Sequence, residues 1–302
     1  MKAAPWFDVV YADGETIAVN KASGISVCPD RWDESKERLD RLVAETIAAN
    51  ASGKPPKLFT VHRIDRDTSG LVLFAKTEAS HRRLSIAFEE RSVSKRYIAI
   101  VNGRPLWKET VCDLPLIPDG NKRHMTIIDK FRGKKSVTRF ALLGSAGNYS
   151  VLEAIPETGR THQIRVHAAA LGFPVVCDPL YGRDTAVLLS AIKKNWRGSL
   201  PDERPLLARL GLHAAELSMR METAFDATPG GSGNPVPECV ADPAADSPVP
   251  WKPDSGPHNT VVTGPDGNIL ILRAPLPRDM TALIRQMDKT GAFSQTWRTI
   301  PS

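Results

Sequence analysis

Paired cysteines, secretion signals and long apolar runs are all missing from this sequence. Its four cysteines, Cys28, Cys112, Cys177 and Cys239, form no CxxC pair. This spacing argues against a zinc ribbon or a disulfide framework, and we expect reduced, mostly buried thiols. No apolar run reaches the length of a membrane span, and the opening MKAAPWFDVVYADGE lacks the apolar region of a signal peptide. We therefore expect a cytoplasmic protein that does not enter a membrane.

Several motifs that mark common enzyme classes are also missing. The sequence has no GxxxxGK[ST] loop, no GxGxxG turn and no GxSxG elbow. Nucleotide hydrolases, dinucleotide-dependent enzymes and serine hydrolases therefore lose their main support. His162 and His167 are close in sequence, but five residues along a helix turn the two rings about 140° apart. We expect these to be hydrogen-bonded structural histidines, and we expect no metal site.

What the sequence does have is the composition of a globular protein with an excess of positive charge. The 302 residues carry a net charge of +6, with a pI near 9.2. This length suits one large domain or two ordinary ones. The charge favours a polyanionic partner, although many basic proteins bind no nucleic acid.

Predicted strands and helices follow one another without the regular βαβ order of parallel folds. Apolar spacing predicts a helix over 38–49, a helix after Thr77 and a last helix after Asp279. Strands are predicted over 71–75 and 95–103. This irregular order favours an α+β fold.

The composition changes late in the chain. Nine of the 24 prolines lie between Pro229 and Pro265, beside a GGSG run, and such a segment can hardly form a core of its own. The following VVTGPDGNILIL indicates a hairpin that turns at Asp266 and Gly267. The predicted division is a catalytic domain over 1–224, a Pro/Gly-rich insertion or loop over 225–266, and a hairpin and helix over 267–302 that complete the catalytic domain.

The stretch VHRIDRDTSGLVLFAKT, residues 61–77, places many charges next to an apolar strand. Buried charges are unfavourable unless partners are present. Asp67 suits the turn at Thr68-Ser69-Gly70, which leaves Asp65 without such a role. Asp65 then needs a cationic partner, for which Arg165 is a candidate. Such a pair keeps a carboxylate ionised, as a nucleophile requires.

A second stretch, ETGRTHQIRVHAAALGFPVVCDPLYG, predicts a short helix. Thr161 is a good N-cap, and Gly172 is suited to end the helix. The start of this helix would lie beside Arg160 and Arg165. A helix N-terminus next to two arginines favours anion binding.

Together these stretches resemble the RluA-type pseudouridine synthases. HRIDRDTSGLVLFAKT resembles the catalytic HRLD-x-x-TSG motif of that family, KRYIAIVNG its K-x-Y motif, and TGRTHQIRVHAAALGFPVVCDPLYG its third motif. VVYADGETIAVNKASGISV is similar to the opening strands, and LGLHAAEL and LRAPLPRDM resemble the closing segments. The likeness covers about 9–220 and 270–290.

The resemblance implies isomerisation of uridine to pseudouridine within RNA, with no cofactor and no metal. By matched position, Asp65 is the catalytic nucleophile, Tyr97 stacks on the target uracil and Arg165 pairs with Asp65. Further substrate contacts are expected from His62, Arg63, Arg160, Thr161 and Ile164. The implied fold is a central mixed, largely antiparallel sheet with flanking helices and a basic cleft that has Asp65 at its floor.

Two other functions stay open on the sequence alone. A relative that only binds RNA would be expected to lose Asp65, Tyr97 or Arg165, and all three are present. A glycosidase or nuclease would need a second carboxylate near Asp65, and Asp67 is the only local choice. We expect a monomer without an obligatory protein partner, acting on ribosomal or transfer RNA.

Overall fold

A mixed sheet with helices packed against it forms the centre of the molecule. The computed structural model describes residues 6–29, 37–51, 54–121, 125–193, 195–199, 202–221, 259–264 and 267–293. Within these ranges the main sheet has 12 strands, and a second sheet has 2. The predicted α+β class is confirmed.

The strands and helices have the following bounds. The strands of the first half are β1 (Phe7–Ala12), β2 (Thr16–Lys21), β3 (Phe59–Thr60), β4 (Ser69–Ala75), β5 (Ser94–Asn102), β6 (Glu109–Cys112), β7 (Leu116–Ile117) and β8 (Ile127–Ile128). Those of the second half are β9 (Thr138–Ala146), β10 (Tyr149–Pro156), β11 (Leu212–Met221), β12 (Asn259–Gly264), β13 (Gly267–Arg273) and β14 (Ala292–Phe293). The helices are α1 (Leu39–Ala51), α2 (Glu78–Glu89), α3 (Gln163–Ala170) and α4 (Arg278–Thr290).

The main sheet is antiparallel except at its centre. Its strand order is β1-β2-β4-β11-β5-β10-β9-β14, with β3 on β4, β6 on β9, and the β12–β13 hairpin on β11 through β13. β11 runs parallel to β4 and antiparallel to β5. Since β11 inserts between these two strands, it joins the opening half of the sheet to the half that contains β5, β9 and β10.

β4 has the apolar sequence of a strand covered on both faces. All seven residues of SGLVLFA are buried, and successive side chains of a strand point to opposite faces. Val72 and Phe74 pack with Leu39 of α1, whereas Leu71 packs with Leu84 of α2. The two helices therefore cover opposite faces of β4, as the continuous apolar run predicts.

The predicted helical faces and caps agree with the structure in most places. Thr77 caps α2, and its side-chain oxygen accepts a hydrogen bond from the backbone N–H of Ser80. On α4, Leu283, Ile284 and Met287 are fully buried. Gly172, directly after the C-cap of α3, has a φ of 88°, which a glycine adopts without strain.

Gly70 allows β4 and β11 to approach closely. Its φ is 115°, and a Cβ at this position would overlap the backbone of Ala214. In the sheet register Gly70 lies opposite Ala214, and Ala214 in turn lies opposite Tyr97 of β5. The turn that precedes β4 is therefore held close to the end of β5 that carries Tyr97.

Some predicted boundaries need correction. Thr161 is not the N-cap of α3, because the helix begins at Gln163 with His162 as its cap. The hairpin begins at Asn259, so 259–264 belongs to the sheet although it falls within the range predicted as an insertion. The rest of that range, together with Cys239, lies outside the described residues. Among those that are described, no helix is both long and apolar enough to span a membrane.

Candidate active site

A cavity of about 500 Å³ opens between the 61–68 segment, the start of β5 and the start of α3. Seven of its lining residues are among the eight predicted site residues: His62, Arg63, Asp65, Tyr97, Arg160, Ile164 and Arg165. The eighth, Thr161, is exposed and is not among the residues that line the cavity. Asp65 and Arg165 are 100 residues apart in sequence. The fold therefore brings two distant stretches of the chain together at one site.

Asp65 begins a tight turn at the cavity. Its carbonyl oxygen accepts a hydrogen bond from the Thr68 N–H at 3.1 Å. The 22–25 segment holds this turn from outside: the Gly24 N–H donates to the Arg66 carbonyl at 2.9 Å, and the Ser23 hydroxyl donates to the Asp67 carbonyl at 2.7 Å. The turn residues around Asp65 are thus fixed by backbone contacts, which leaves the carboxylate free to face the cavity.

Lys21 anchors the same turn from below. Its side chain is 1% exposed, and Nζ donates to the carbonyl oxygens of Ala22, Ile25 and Arg66 at 2.8, 2.9 and 2.8 Å. An ammonium has three protons to donate, and each one has an acceptor here. Burial lowers the pKa of Lys21 to about 7, opposed by the nearby Asp67 and Asp65.

Arg165 connects Asp65 to a second carboxylate. Its Nη1 donates to Asp65 Oδ2 at 3.2 Å, while Nε and Nη2 donate to the two oxygens of Asp178 at 2.8 Å each. The Arg165 side chain is 4% exposed and that of Asp178 is 0%. A bidentate pair of this kind fixes the plane of the guanidinium, so one edge of Arg165 is held by Asp178 and the other is presented to Asp65.

The surroundings keep both partners of this buried pair charged. Burial acts to lower the pKa of Arg165, but Asp178 and Asp65 outweigh it and the pKa is raised. Burial acts to raise the pKa of Asp178, but Arg165 and the N–H groups of Leu180 and Tyr181 lower it overall. The cation that Asp65 faces is therefore permanent.

His162 lies at the start of α3 with a left-handed φ of 54°. This backbone places its Nδ1 at 2.9 Å from the Tyr181 hydroxyl and its Nε2 at 3.9 Å from Asp65 Oδ2. Burial lowers the pKa of His162, although Asp65 opposes the change. His162 thus has the hydrogen bond expected of a structural histidine, but it also lines the cavity, which the sequence analysis did not foresee.

Tyr97 and Ile164 form the apolar side of the cavity. Ile164 is 6% exposed, and the half-buried Tyr97 packs with it in one hydrophobic cluster. Burial and then the charge of Asp65 raise the pKa of the Tyr97 phenol, so this ring is neutral at ordinary pH. A flat apolar wall beside a carboxylate and a guanidinium is suited to a planar, polar ligand.

His62 makes contacts typical of a structural residue. Its Nε2 accepts a hydrogen bond from the Leu73 N–H at 2.9 Å, and its ring stacks on Phe88 at 4.7 Å between centroids. Burial, with Lys95 nearby, lowers the pKa of His62 to about 3. The neutral ring fixes the 61–65 segment to β4 and presents one edge to the cavity.

The rim of the cavity is basic. Arg63 is exposed, Arg160 is half-buried, and Arg91 and Lys95 also line the opening. Burial, and then Arg91, lower the pKa of Lys95. Two carboxylates line the cavity: Asp65, which contacts Arg165, and Glu89, at the exposed end of α2. Asp67 is not among the lining residues.

Sequence reasoning missed the residues that support Asp65 from behind. Asp178 is one of them, although it stands inside the DPLYG block that the third motif contains. Asp178 and Tyr181 lie in the same motif as Arg165. This proximity in sequence could have indicated that Asp178 is a partner of Arg165. Lys21 gave no such signal, because the sequence does not reveal that a strand-end lysine is buried.

Residues 15–170 match the family described as RNA pseudouridylate synthase. The Ribosomal large subunit pseudouridine synthase D of Zymomonas mobilis is 36% identical over 178 residues, 58% of this chain and 56% of that protein. The Dual-specificity RNA pseudouridine synthase RluA of Escherichia coli K12 is 33% identical over 216 residues, 71% of this chain and 87% of that protein.

Two solved structures are similar in fold. Human RNA Pseudouridylate Synthase Domain Containing 1 has a TM-score of 0.53 at 26% identity, covering 72% of this chain and 81% of that one. Human RNA Pseudouridylate Synthase Domain Containing 4 has a TM-score of 0.59 at 18% identity, covering 93% and 92%. At this level of identity the second similarity concerns the fold alone.

Proposed function

The chain belongs to the RNA pseudouridylate synthase family, and from this membership we propose that it isomerises particular uridines in ribosomal or transfer RNA to pseudouridine. The observation that carries the proposal is the contact of Asp65 with Arg165 at 3.2 Å inside a basic cavity that also contains Tyr97. The reaction is an isomerisation, so it requires no second substrate.

The proposed reaction exchanges one bond between base and sugar for another. The bond from uracil N1 to the ribose breaks, the base rotates, and a bond from C5 to the same sugar carbon forms. C5 loses a proton and N1 gains one, so atoms and charge balance. An ionised carboxylate is able to start this by attack on the sugar or the base, or by removal of a sugar proton.

We assign the start of the reaction to Asp65. Arg165 keeps its positive charge next to this carboxylate, and Asp178 holds Arg165 in place. A fixed guanidinium beside a carboxylate holds its oxygens in one orientation, and Asp65 faces the cavity. Tyr97 is assigned as the surface on which the uracil stacks, and as a group that assists the later removal of the C5 proton. Ile164 lines the uracil site.

The target base must leave its helix to reach Asp65. Extracting a base costs a few kcal/mol, and stacking on an aromatic ring restores about 1–3 kcal/mol of that. Arg63 is exposed at the rim and is assigned to the space that the extracted nucleotide vacates. We assign Arg160 to the RNA backbone and His62 to the inner wall. Thr161 is proposed to contact RNA only outside the cavity, because it does not line it.

We also propose that the protein acts as a cytoplasmic monomer without an obligatory protein partner. The alignment spans just over half of the large-subunit relative but most of the dual-specificity one. Both relatives carry names of RNA pseudouridine synthases, which supports an RNA substrate here. The division of the chain at 225–266 remains a prediction for the part outside the described residues.

The test uses RNA tritiated at uracil C5. Wild-type protein should release tritium, because C5 loses its hydrogen when the new carbon–carbon bond forms. Asp65→Asn should reduce release by at least about 10³-fold, in line with the loss of a group that forms or breaks bonds. Asp67→Asn is the matched control, since this neighbouring carboxylate does not line the cavity, and it should keep activity within a few-fold of wild type.

Different products identify the competing functions. Free uracil or cleaved chains, with activity lost in both Asp65→Asn and Glu89→Gln, would identify a hydrolase that uses two carboxylates. Binding of RNA without tritium release from any ribosomal or transfer RNA pool would identify an RNA-binding relative. Equal tritium release by wild type and Asp65→Asn would exclude the role assigned to Asp65.

A further inference from the structure

Outside the cavity, one loop presents an aromatic side chain to solvent. Phe131 lies between β8 and β9 and is 98% exposed. A phenyl ring without cover is unfavourable in water, and single exposed apolar residues are otherwise ordinary on protein surfaces. The loop that carries Phe131 is unusual in its rigidity and in its charge.

Hydrogen bonds within the loop fix its shape. Asp129 Oδ1 accepts from the N–H groups of Phe131 and Arg132 at 2.9 Å each, and Asp129 Oδ2 accepts from Arg132 Nε at 2.9 Å. The Gly133 N–H donates to the Asp129 carbonyl at 2.9 Å. A Cβ on Gly133 would overlap the carbonyl oxygen of Asp129, so the tight turn depends on glycine here.

Both ends of the loop are fastened to β7 and the residue before it. The Asp129 N–H donates to the Pro115 carbonyl at 3.1 Å, and Lys134 exchanges two backbone hydrogen bonds with Leu116 at 2.8 and 3.0 Å. The ring of Phe131 is therefore held out from the surface by a preformed turn. Little conformational entropy is lost when such a group binds a ligand.

The residues around the ring carry positive charge. Lys130, Arg132, Lys134 and Lys135 are all exposed, and of these Arg132 is paired with Asp129. Three exposed lysines thus lie within four residues of one uncovered ring. An aromatic ring among positive charges is the combination that binds single-stranded nucleic acid, because bases stack on the ring and phosphates contact the lysines.

The loop leads directly into the rim of the cavity. Arg160, which lines the cavity, donates from Nε to the Lys135 carbonyl at 3.4 Å. Two residues on, the Val137 N–H donates to the hydroxyl of Thr158, another lining residue, at 3.1 Å. The end of the loop at Lys135 therefore adjoins the rim of the cavity.

We propose that the 129–135 loop is a second RNA-binding site, at which Phe131 stacks on an unpaired nucleobase of the same strand whose uridine occupies the cavity. This inference rests on the proposed function, because it takes RNA as the substrate. The site adds affinity and sets the distance between the target uridine and an unpaired neighbour, so it contributes to the choice of uridine.

The first experiment measures binding, so that its result does not depend on turnover. The probe is a fluorescein-labelled single-stranded oligouridylate, and its Kd is measured by polarisation. Phe131→Ala should raise Kd about tenfold, whereas Phe131→Tyr, which keeps the ring, should leave it within about twofold of wild type. The matched control is Leu106→Ala, because Leu106 is 101% exposed and lies beyond the end of β5 that is far from Tyr97. This control should not change Kd.

A second experiment locates the stacked base. A photoreactive benzoylphenylalanine at position 131 should crosslink to one nucleotide at a fixed separation from the modified uridine in substrate RNA. With Asp65→Asn in the same chain, the crosslink should persist although tritium release is lost. If the proposed reaction is wrong but the binding site is correct, tritium release will be absent while the crosslink remains.

Three results would overturn the inference. Equal Kd values for wild type and Phe131→Ala, including no measurable binding by either, would remove the stacking role. An equal loss in Leu106→Ala would show a general effect of exposed apolar groups. Concentration-dependent self-association that Phe131→Ala abolishes, with RNA binding unchanged, would assign the ring to contacts between copies of the chain.

Discussion

At the scale of single residues, the site is organised around one guanidinium. Arg165 contacts Asp65 at 3.2 Å and Asp178 at 2.8 Å, so the buried carboxylate fixes the cation and the cation orients the partly exposed carboxylate. Asp178 is thus a positioning residue, and its loss should affect activity through the geometry of Arg165. The charges beside the apolar strand β4 are accommodated in two ways: Arg63, Arg66 and Asp67 are exposed, whereas the partly buried Asp65 is paired with Arg165.

We expect Asp178→Asn to lower kcat about 10²-fold, because a misplacement of a catalytic group by about 1 Å is sufficient for such a loss. It should also lower the free energy of unfolding by about 3–5 kcal/mol, as removing one partner of a buried ion pair does. The measurements are tritium release and denaturant unfolding.

The control for Asp178→Asn is Asp279→Asn. It breaks another bidentate pair, with Arg209 at 2.7 Å, whose residues do not line the cavity. Asp279→Asn should reduce stability while kcat stays close to that of wild type. An equal loss of kcat in both variants would mean that Asp178 acts only through stability.

Lys21 should make stability depend on pH. Its pKa is about 7 in the folded protein and near 10.5 when unperturbed, so between these values the unfolded chain binds more protons than the folded one. The free energy of unfolding therefore rises with pH across this window. We expect Lys21→Met to lack this rise, whereas Lys289→Met, at an exposed position of α4, should keep it. Urea unfolding at a series of pH values provides the comparison, and parallel pH curves for wild type and Lys21→Met would disprove the assignment.

At the scale of elements, the close approach of β4 to β11 decides where the Asp65 turn lies. Gly70 and Ala214 are opposite each other in the one parallel pairing found among the described strands of the main sheet. Ala214 of β11 also lies opposite Tyr97 of β5 in the neighbouring antiparallel pairing. Three neighbouring strands thus set the separation of the two assigned catalytic side chains.

Gly70→Ala should therefore destabilise the protein and reduce activity together. The new Cβ would overlap the Ala214 backbone at a φ of 115°, so either β4 moves away from β11 or the residue changes conformation. We expect a loss of about 2 kcal/mol or more, measured by thermal unfolding. Gly14→Ala is the matched control, because a Cβ added there would have no heavy atom within 4 Å other than those of Gly14 and its two chain neighbours. Comparable losses in the two variants would contradict this explanation.

At the scale of the whole molecule, charge should govern RNA affinity. The chain has a net charge of +6, and the rim of the cavity is basic. The logarithm of the binding constant for single-stranded RNA should fall linearly with the logarithm of salt concentration, with a slope of about −0.7 for each phosphate contacted. Arg63→Gln should make this slope shallower by about one contact, whereas Lys289→Gln should not. A slope near zero in wild type would mean that base contacts, and not phosphate contacts, supply the affinity.

The sequence by itself determined the local features of this protein. Apolar periodicity predicted α1, α2, α4 and β5, and a continuous apolar run predicted β4, because both patterns are formed by residues close together in sequence. The motifs predicted seven of the residues that line the cavity, but not His162 or Glu89, and the charge of Asp65 predicted that it would require a cation such as Arg165.

Only the tertiary structure decided how those features come together. The insertion of β11 between β4 and β5, the burial of Lys21 and the support of Arg165 by Asp178 all depend on pairings between distant segments. Short-range patterns do not encode such pairings, because register and burial are set by the neighbours that a strand acquires after folding. The left-handed backbone of His162, which replaced Thr161 as the cap of α3, has the same origin. Its hydrogen bond to Tyr181 and its place beside Asp65 exist only once α3 has packed against the Asp65 turn.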